Sequence, residues 1–175
     1  MPDKKARKTF FLLLESLSLK NLPRTGWVNA KAPRESVAEH TYGACLIALV
    51  LARMEGMGGK GESALLRRVL LHDLHEARIG DLTPGQKAKQ KPDEKKVERE
   101  MLGKTHLEKE IALLADDKLA VLAKDADRLD MLLRAVENSN AGNRNMRRFI
   151  GAALGQIKSK SGKKLAKMAL EKLEK

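Results

Sequence analysis

The apolar residues of this chain return every three or four positions, and no stretch of β-branched residues alternates with polar ones at a period of two. Phe10, Leu13, Leu14 and Leu17 show the spacing, as do Leu65 and Val69. Such a repeat lays one apolar stripe along a helix, whereas a half-buried strand needs period two. The pattern predicts an all-α fold. Aromatic residues make up only 3% of the chain, so the core must be built from Leu, Ala, Val, Ile and Met, a palette that favours helices. At 175 residues the chain suits one domain with a real core.

About seven helices are predicted, over residues 5–20, 36–55, 62–79, 93–114, 118–138, 144–157 and 162–175. Ser36-Val-Ala-Glu39 reads as a capping box, in which the serine caps the helix and the glutamate reaches back to the serine amide. That places His40 in the first turn. Gly80 ends the third helix. Residues 21–33 form a connector with two prolines, Arg24 and the only tryptophan, Trp27, and residues 81–92 form a loop. With no internal repeat and no clear linker, residues 1–140 read as the core. Residues 141–175 read as basic helices packed on it or extending it.

The net charge is +12, and residues 141–175 carry +8 of it. Such an imbalance attracts phosphates, nucleic acid or an anionic membrane, or else marks a solvated helix face, the reading preferred here. Aromatic side chains are too few for a base-stacking platform, and no helix-turn-helix or zinc-finger word occurs. Nucleic acid is therefore a partner that is allowed but not favoured. The one cysteine, Cys45, permits no disulfide within the chain and fits a reducing cytoplasm. The apolar run at residues 10–14 is too short for a signal segment or a bilayer span, so no membrane role is expected.

His72-Asp73 is the informative dipeptide. It ends an apolar stretch containing Leu65, Val69, Leu70 and Leu71. A buried charge there needs a partner, and a divalent metal suits an adjacent imidazole and carboxylate. Glu76, four residues on in the same helix, shares a face with His72. His40 offers a second imidazole, pointed inward from the start of its helix. Asp127 offers a second carboxylate, set among Leu122, Ala123, Ala126 and Leu129, where helices do not favour Asp. Two imidazoles and two carboxylates make a mixed nitrogen–oxygen site suited to Mn, Co, Fe, Ni or Zn. Each residue also has a plainer reading: His40 as a satisfied core histidine, and Asp127 as the partner of Arg128 or Arg134.

The order His40, His72-Asp73, Asp127 resembles the HD-domain metal-dependent phosphohydrolases. Pro23-Arg-Thr-Gly-Trp27, Glu35-Ser-Val-Ala-Glu-His40, His72-Asp-Leu-His-Glu-Ala77, Gly80-Asp-Leu82 and Asp125-Ala-Asp-Arg-Leu129 narrow the resemblance. Together they point to the 5′-deoxynucleotidase branch, close to the HD-domain-containing protein 2 group, over about residues 8–137. The resemblance implies an all-helical domain, usually a homodimer, that hydrolyses deoxyribonucleoside 5′-monophosphates with one divalent metal (Mn, Co, Mg, Zn, Ni or Fe). By position, His40, His72, Asp73 and Asp127 are its metal ligands and Glu76 its catalytic acid/base. Asp81 supports the reactive water or the substrate, and Arg24 and Trp27 touch the nucleotide. Pro33-Arg34 departs from the order usual in this branch and leaves the role of Arg34 open.

A metal-activated water attacking phosphorus, with Arg24 on the phosphate oxygens and Glu76 handling the proton, is the expected chemistry. Trp27 either packs on the sugar or base or plugs the connector, and Asp81 either serves the site or caps the loop after Gly80. His75 is expected behind the ligands or at the surface, and His106 on a solvated helix. Two-metal phosphodiesterases of this superfamily need further histidines, which these two do not supply. Guanosine tetraphosphate hydrolases carry an acidic residue where Ala77 stands, and deoxynucleoside triphosphohydrolases are generally much longer. Hydrolysis of another phosphoester is the alternative within the superfamily. A nucleic-acid-binding protein with an inactive site is the alternative outside it.

Overall fold

The computed structural model describes residues 3–173, whose regular elements are all helices, with one isolated bridge between Pro23 and Ser36 in place of any sheet. Eleven α-helices follow in order: α1 (Lys4–Ser16), α2 (Thr25–Asn29), α3 (Val37–Met54), α4 (Gly59–Leu71), α5 (Glu76–Ile79) and α6 (Pro84–Gln90), then α7 (Glu94–Leu102), α8 (Glu110–Leu114), α9 (Asp117–Asn140), α10 (Arg147–Gln156) and α11 (Lys160–Glu171). The last two residues of the helix expected over 162–175 lie outside the described residues.

The all-α fold is as the periodicity predicts, but the helices are more numerous and shorter. The stretch expected as one helix over 62–79 breaks after Leu71 into tight turns, with the amides of Leu74, Glu76 and Ala77 each donating to the carbonyl three residues back. The stretch over 93–114 breaks at Gly103, the C-cap of α7. The loop over 81–92 contains α6, started by a capping box between Thr83 and Gln86 with Pro84 at its first position. The connector over 21–33 contains the short α2.

α3 and α9 form the centre, with α4, α10 and α11 packed on α9. Ala44, Ala48 and Ala52 on α3 and Ala123 and Ala126 on α9 are all buried, and side chains that small let the helix axes come close. Ile150, Ala153 and Ile157 from the region of α10, with Ala166 and Ala169 of α11, join the same core. Asp125 on α9 fixes the bend between those helices, accepting hydrogen bonds from the amides of Lys158 and Ser159 at 2.9 and 2.7 Å. A smaller core of Leu12, Leu71, Leu74, Met101 and Leu102 holds the turn that follows α4. Among the described helices α3 alone is long and apolar enough to cross a bilayer, yet one face of it is core and carries His40. Its other face leaves Tyr42, Leu46, Val50 and Met54 exposed.

Candidate metal centre and active site

The site forms where α3, α9 and the turn after α4 meet. The capping box at the start of α3 is made as its sequence predicts: the Ser36 amide donates to Glu39 Oε2 and the Glu39 amide to Ser36 Oγ. This sets His40 one turn into the helix, fully buried. Its Nδ1 lies 2.7 Å from Asp130 Oδ2, and its Nε2 lies 3.3 Å from Asp127 Oδ1 and 3.7 Å from Asp73 Oδ2. Asp127 and Asp130, three residues apart on α9, thus flank one imidazole. Gly43 makes room for them, since a Cβ there would collide with the Asp130 carboxylate.

The break after α4 brings His72 and Asp73 to one point. His72 Nε2 lies 3.1 Å from Asp73 Oδ2, while its Nδ1 lies 2.6 Å from the Val69 carbonyl. A carbonyl only accepts, so Nδ1 carries the hydrogen and Nε2 faces the site. The broken helix also means that His72 and Glu76 are not neighbours on a helix face, as the sequence suggested. Glu76 instead begins α5.

The donor set fits a divalent cation. His40 Nε2 and His72 Nε2 are both buried without a hydrogen-bond partner, and both face carboxylate oxygens. A neutral imidazole there would aim a lone pair at an anion, which only a proton or a metal relieves. Metal–ligand bonds of about 2.1 Å would separate neighbouring donor atoms by roughly 3.0–3.4 Å, close to the separations seen. His40, His72 and Asp73 group as possible ligands, and Asp127 reaches the same imidazole. Without a metal, burial opposes the charge on His72, but Asp73 and Asp127 outweigh it and hold its pKa up at about 9. Burial also opposes the carboxylate of Asp73, yet His72, His40 and Arg24 hold it well below the usual range.

Glu76 is buried beside this cluster, and its Oε2 has no partner. Burial, then the charges of Asp73 and Asp81, push its pKa up to about 9, so it carries a proton at neutral pH. Asp81 ties the α2 connector to this end of the site: its Oδ2 accepts from the Thr25 amide at 2.5 Å and its carbonyl from Thr25 Oγ1 at 2.6 Å. Arg24, the N-cap residue of α2, is thereby turned inward, with Nη1 3.5 Å from Asp73 Oδ2. Trp27 is 2% exposed; its Nε1 donates to Glu35 Oε2 and its ring packs on Phe149 at 4.7 Å. That place fits a plug of the connector better than a platform for a base. Arg34, left open by the sequence, donates to the Asn21 carbonyl.

Two residues beside the site, Asp130 and Lys87, stand outside the set expected from the sequence. The spacing of Asp130 from Asp127 is that of a helix face. His75, expected behind the ligands or at the surface, is buried, with Glu98 Oε1 3.5 Å from its Nδ1 and Glu94 Oε1 3.8 Å from its Nε2. Lys87 of α6 pairs with the same Glu94 oxygen at 2.7 Å. His106 is exposed, as expected, but lies in the turn after α7, bonded to Thr9.

The family model for the HD domain matches residues 17–173. The 5′-deoxynucleotidase HDDC2 of Dictyostelium discoideum is 32% identical over 136 residues, covering 68% of this chain and 71% of that protein. The crystal structure of the PH0347 protein from Pyrococcus horikoshii superposes with a TM-score of 0.73 at 29% identity, over 94% of this chain and 97% of that one. A predicted metal-dependent phosphohydrolase from Magnetospirillum magnetotacticum shares the fold, with a TM-score of 0.75 at 22% identity over 99% and 94% of the two chains. With its His40, His72-Asp73 and Asp127 gathered on the all-helical scaffold that these matches share, the chain belongs to the HD-domain phosphohydrolases, in the branch similar to the 5′-deoxynucleotidases.

Proposed function

We propose that the protein is a metal-dependent phosphomonoesterase acting on (deoxy)ribonucleoside 5′-monophosphates. The observation that carries this reading is the convergence of two imidazole Nε2 atoms and two aspartates beside a buried glutamate whose Oε2 has no partner. The name of the Dictyostelium relative supplies the substrate class.

His40, His72, Asp73 and Asp127 would hold one divalent cation. Such an ion would supply Lewis acidity, lowering the pKa of a water and offsetting phosphate charge. Arg24 swings from Asp73 to donate to the phosphate oxygens, a task its forked donors suit. Asp81, whose Oδ2 is held by the Thr25 amide, keeps its other oxygen for the attacking water and takes its proton. The water oxygen bonds to phosphorus and the bond to the 5′-oxygen breaks. Glu76 delivers the proton of its carboxyl to that leaving oxygen. Trp27 steadies the connector that carries Arg24. A homodimer accords with the exposed α3 stripe of Tyr42, Leu46, Val50 and Met54, which a second copy would cover.

The test is phosphate release from a panel of deoxy- and ribonucleoside 5′-monophosphates with Mn, Co or Mg, and after chelation, with His72→Ala alongside. Metal-dependent release that is lost in the variant supports the reading. No release from any monophosphate by metal-loaded protein overturns it and directs the search to other phosphoesters.

A further inference from the structure

We propose that Lys87 is a second cation of the substrate site, one that rests on Glu94 and moves to a phosphate oxygen when the nucleotide binds. The inference rests on the phosphomonoesterase reading.

α6 is attached to the protein in an unusual way. None of its residues is fully buried, and Pro84, Gly85, Ala88, Lys89 and Gln90 are exposed. Only Gln86 and Lys87 are half-covered. Gln86 has a local reason, because its side chain closes the capping box on Thr83. Lys87 has none. A lysine on a short, solvated helix has water on most sides, and turning inward strips hydration from its ammonium.

What Lys87 turns toward is the acidic side of the site. Its Nζ lies 2.7 Å from Glu94 Oε1, on the helix that packs beside the His75–Glu76 turn. Burial lowers its pKa, yet Glu94 first, then Glu76 and Asp73, raise it above the usual lysine value, which accords with an ammonium on the side of the site that holds these acidic groups. The connection is also short: Lys87 follows Asp81 by six residues, with the capping box fixing the start of the helix between them.

Glu94 has the features of a resting partner. The Nε2 of buried His75, which has no hydrogen-bond partner, lies 3.8 Å from the same Glu94 oxygen. An imidazole nitrogen therefore stands beside Glu94, with Glu98 3.5 Å from the other nitrogen of the ring, and in this proposal it becomes the neighbour of Glu94 when Lys87 leaves. The arriving phosphate needs such a cation. It is anionic, Asp73, Asp81 and Asp127 are anionic too, and Arg24 is already turned toward Asp73. A compact ammonium on a flexible stem serves as a point charge that can travel.

The test uses the Mn-loaded full chain, with inorganic phosphate as the probe in calorimetric titrations and the best monophosphate substrate in kinetics. Lys87→Met is expected to weaken phosphate binding about ten- to hundredfold, the loss of one charged contact. It should raise KM to match, with Mn affinity unchanged. Lys87→Arg should restore most of the loss, and Glu94→Gln, which lacks the resting charge, should tighten phosphate binding. The proposal is overturned if Lys87→Met binds phosphate as the parent does, or if the parent binds none. It is equally overturned if Glu94→Gln weakens binding as much as Lys87→Met, which would mark an ion pair that only holds α6. Should the parent hydrolyse no monophosphate, the nucleotidase reading fails, while the phosphate titration still decides the role of Lys87.

Discussion

Asp130 Oδ2 lies 2.7 Å from Nδ1 of His40, on the side of the ring turned away from Asp73 and Asp127. A carboxylate in that place accepts the Nδ1 hydrogen, orients the ring and makes Nε2 a better ligand. Asp130→Ala should therefore weaken metal binding about ten- to hundredfold, although Asp130 touches no metal. Titration with Mn or Zn checks this, with circular dichroism to confirm that helix content is kept. Unchanged affinity would make Asp130 a packing residue only.

Glu76 holds its proton because it is buried beside Asp73 and Asp81. Glu76→Gln keeps the shape and removes the transferable proton. Turnover should fall by about a hundredfold or more, with metal stoichiometry unchanged. Metal analysis and single-turnover rates on the same sample separate the two effects. Loss of metal together with activity would make Glu76 a ligand rather than the acid.

Much of this site is legible in the sequence, and what is not has physical causes. The capping box at Ser36 places His40 correctly because the signal is local. The break at His72 was invisible because no glycine or proline marks it; the smaller core of Leu12, Leu71, Leu74, Met101 and Leu102 holds it, and those contacts come from distant segments. α6 was missed although Thr83-Pro84-Gly85-Gln86 carries its own start signal, because the charged residues that follow offer no apolar stripe. Asp130 could have been found from its helical spacing to Asp127. The inward turn of Arg24 could not, since it depends on Thr25 meeting Asp81 across 56 positions of the chain.

In the metal-free protein His72 is held at about pKa 9, above the roughly 6.5 of an unfolded histidine. Raised in the folded state, it contributes stability that is full below pH 6.5 and lost as pH rises through 9. The metal-free melting temperature should therefore fall across that window. Metal must displace the proton, so its apparent affinity should rise about tenfold per pH unit over the same range if one proton is released. Thermal melts with and without Mn, and proton release measured in buffers of different ionisation heat, check both. A metal-free melting curve independent of pH would show that His72 is neutral there.

Trp27 separates a structural role from a binding one. It is 2% exposed, and its Nε1 donates to Glu35. Trp27→Phe keeps much of the packing on Phe149 but leaves a half-buried glutamate short of a donor, at a cost of about 1–3 kcal/mol. For a chain of this size that lowers the melting temperature by several degrees. If Trp27 is a plug, KM for the monophosphate should stay within about twofold of the parent at a temperature where both are folded, since no contact with substrate is lost. A tenfold rise in KM at an unchanged melting temperature would instead put the indole against the nucleotide, and the connector would have to open to admit it.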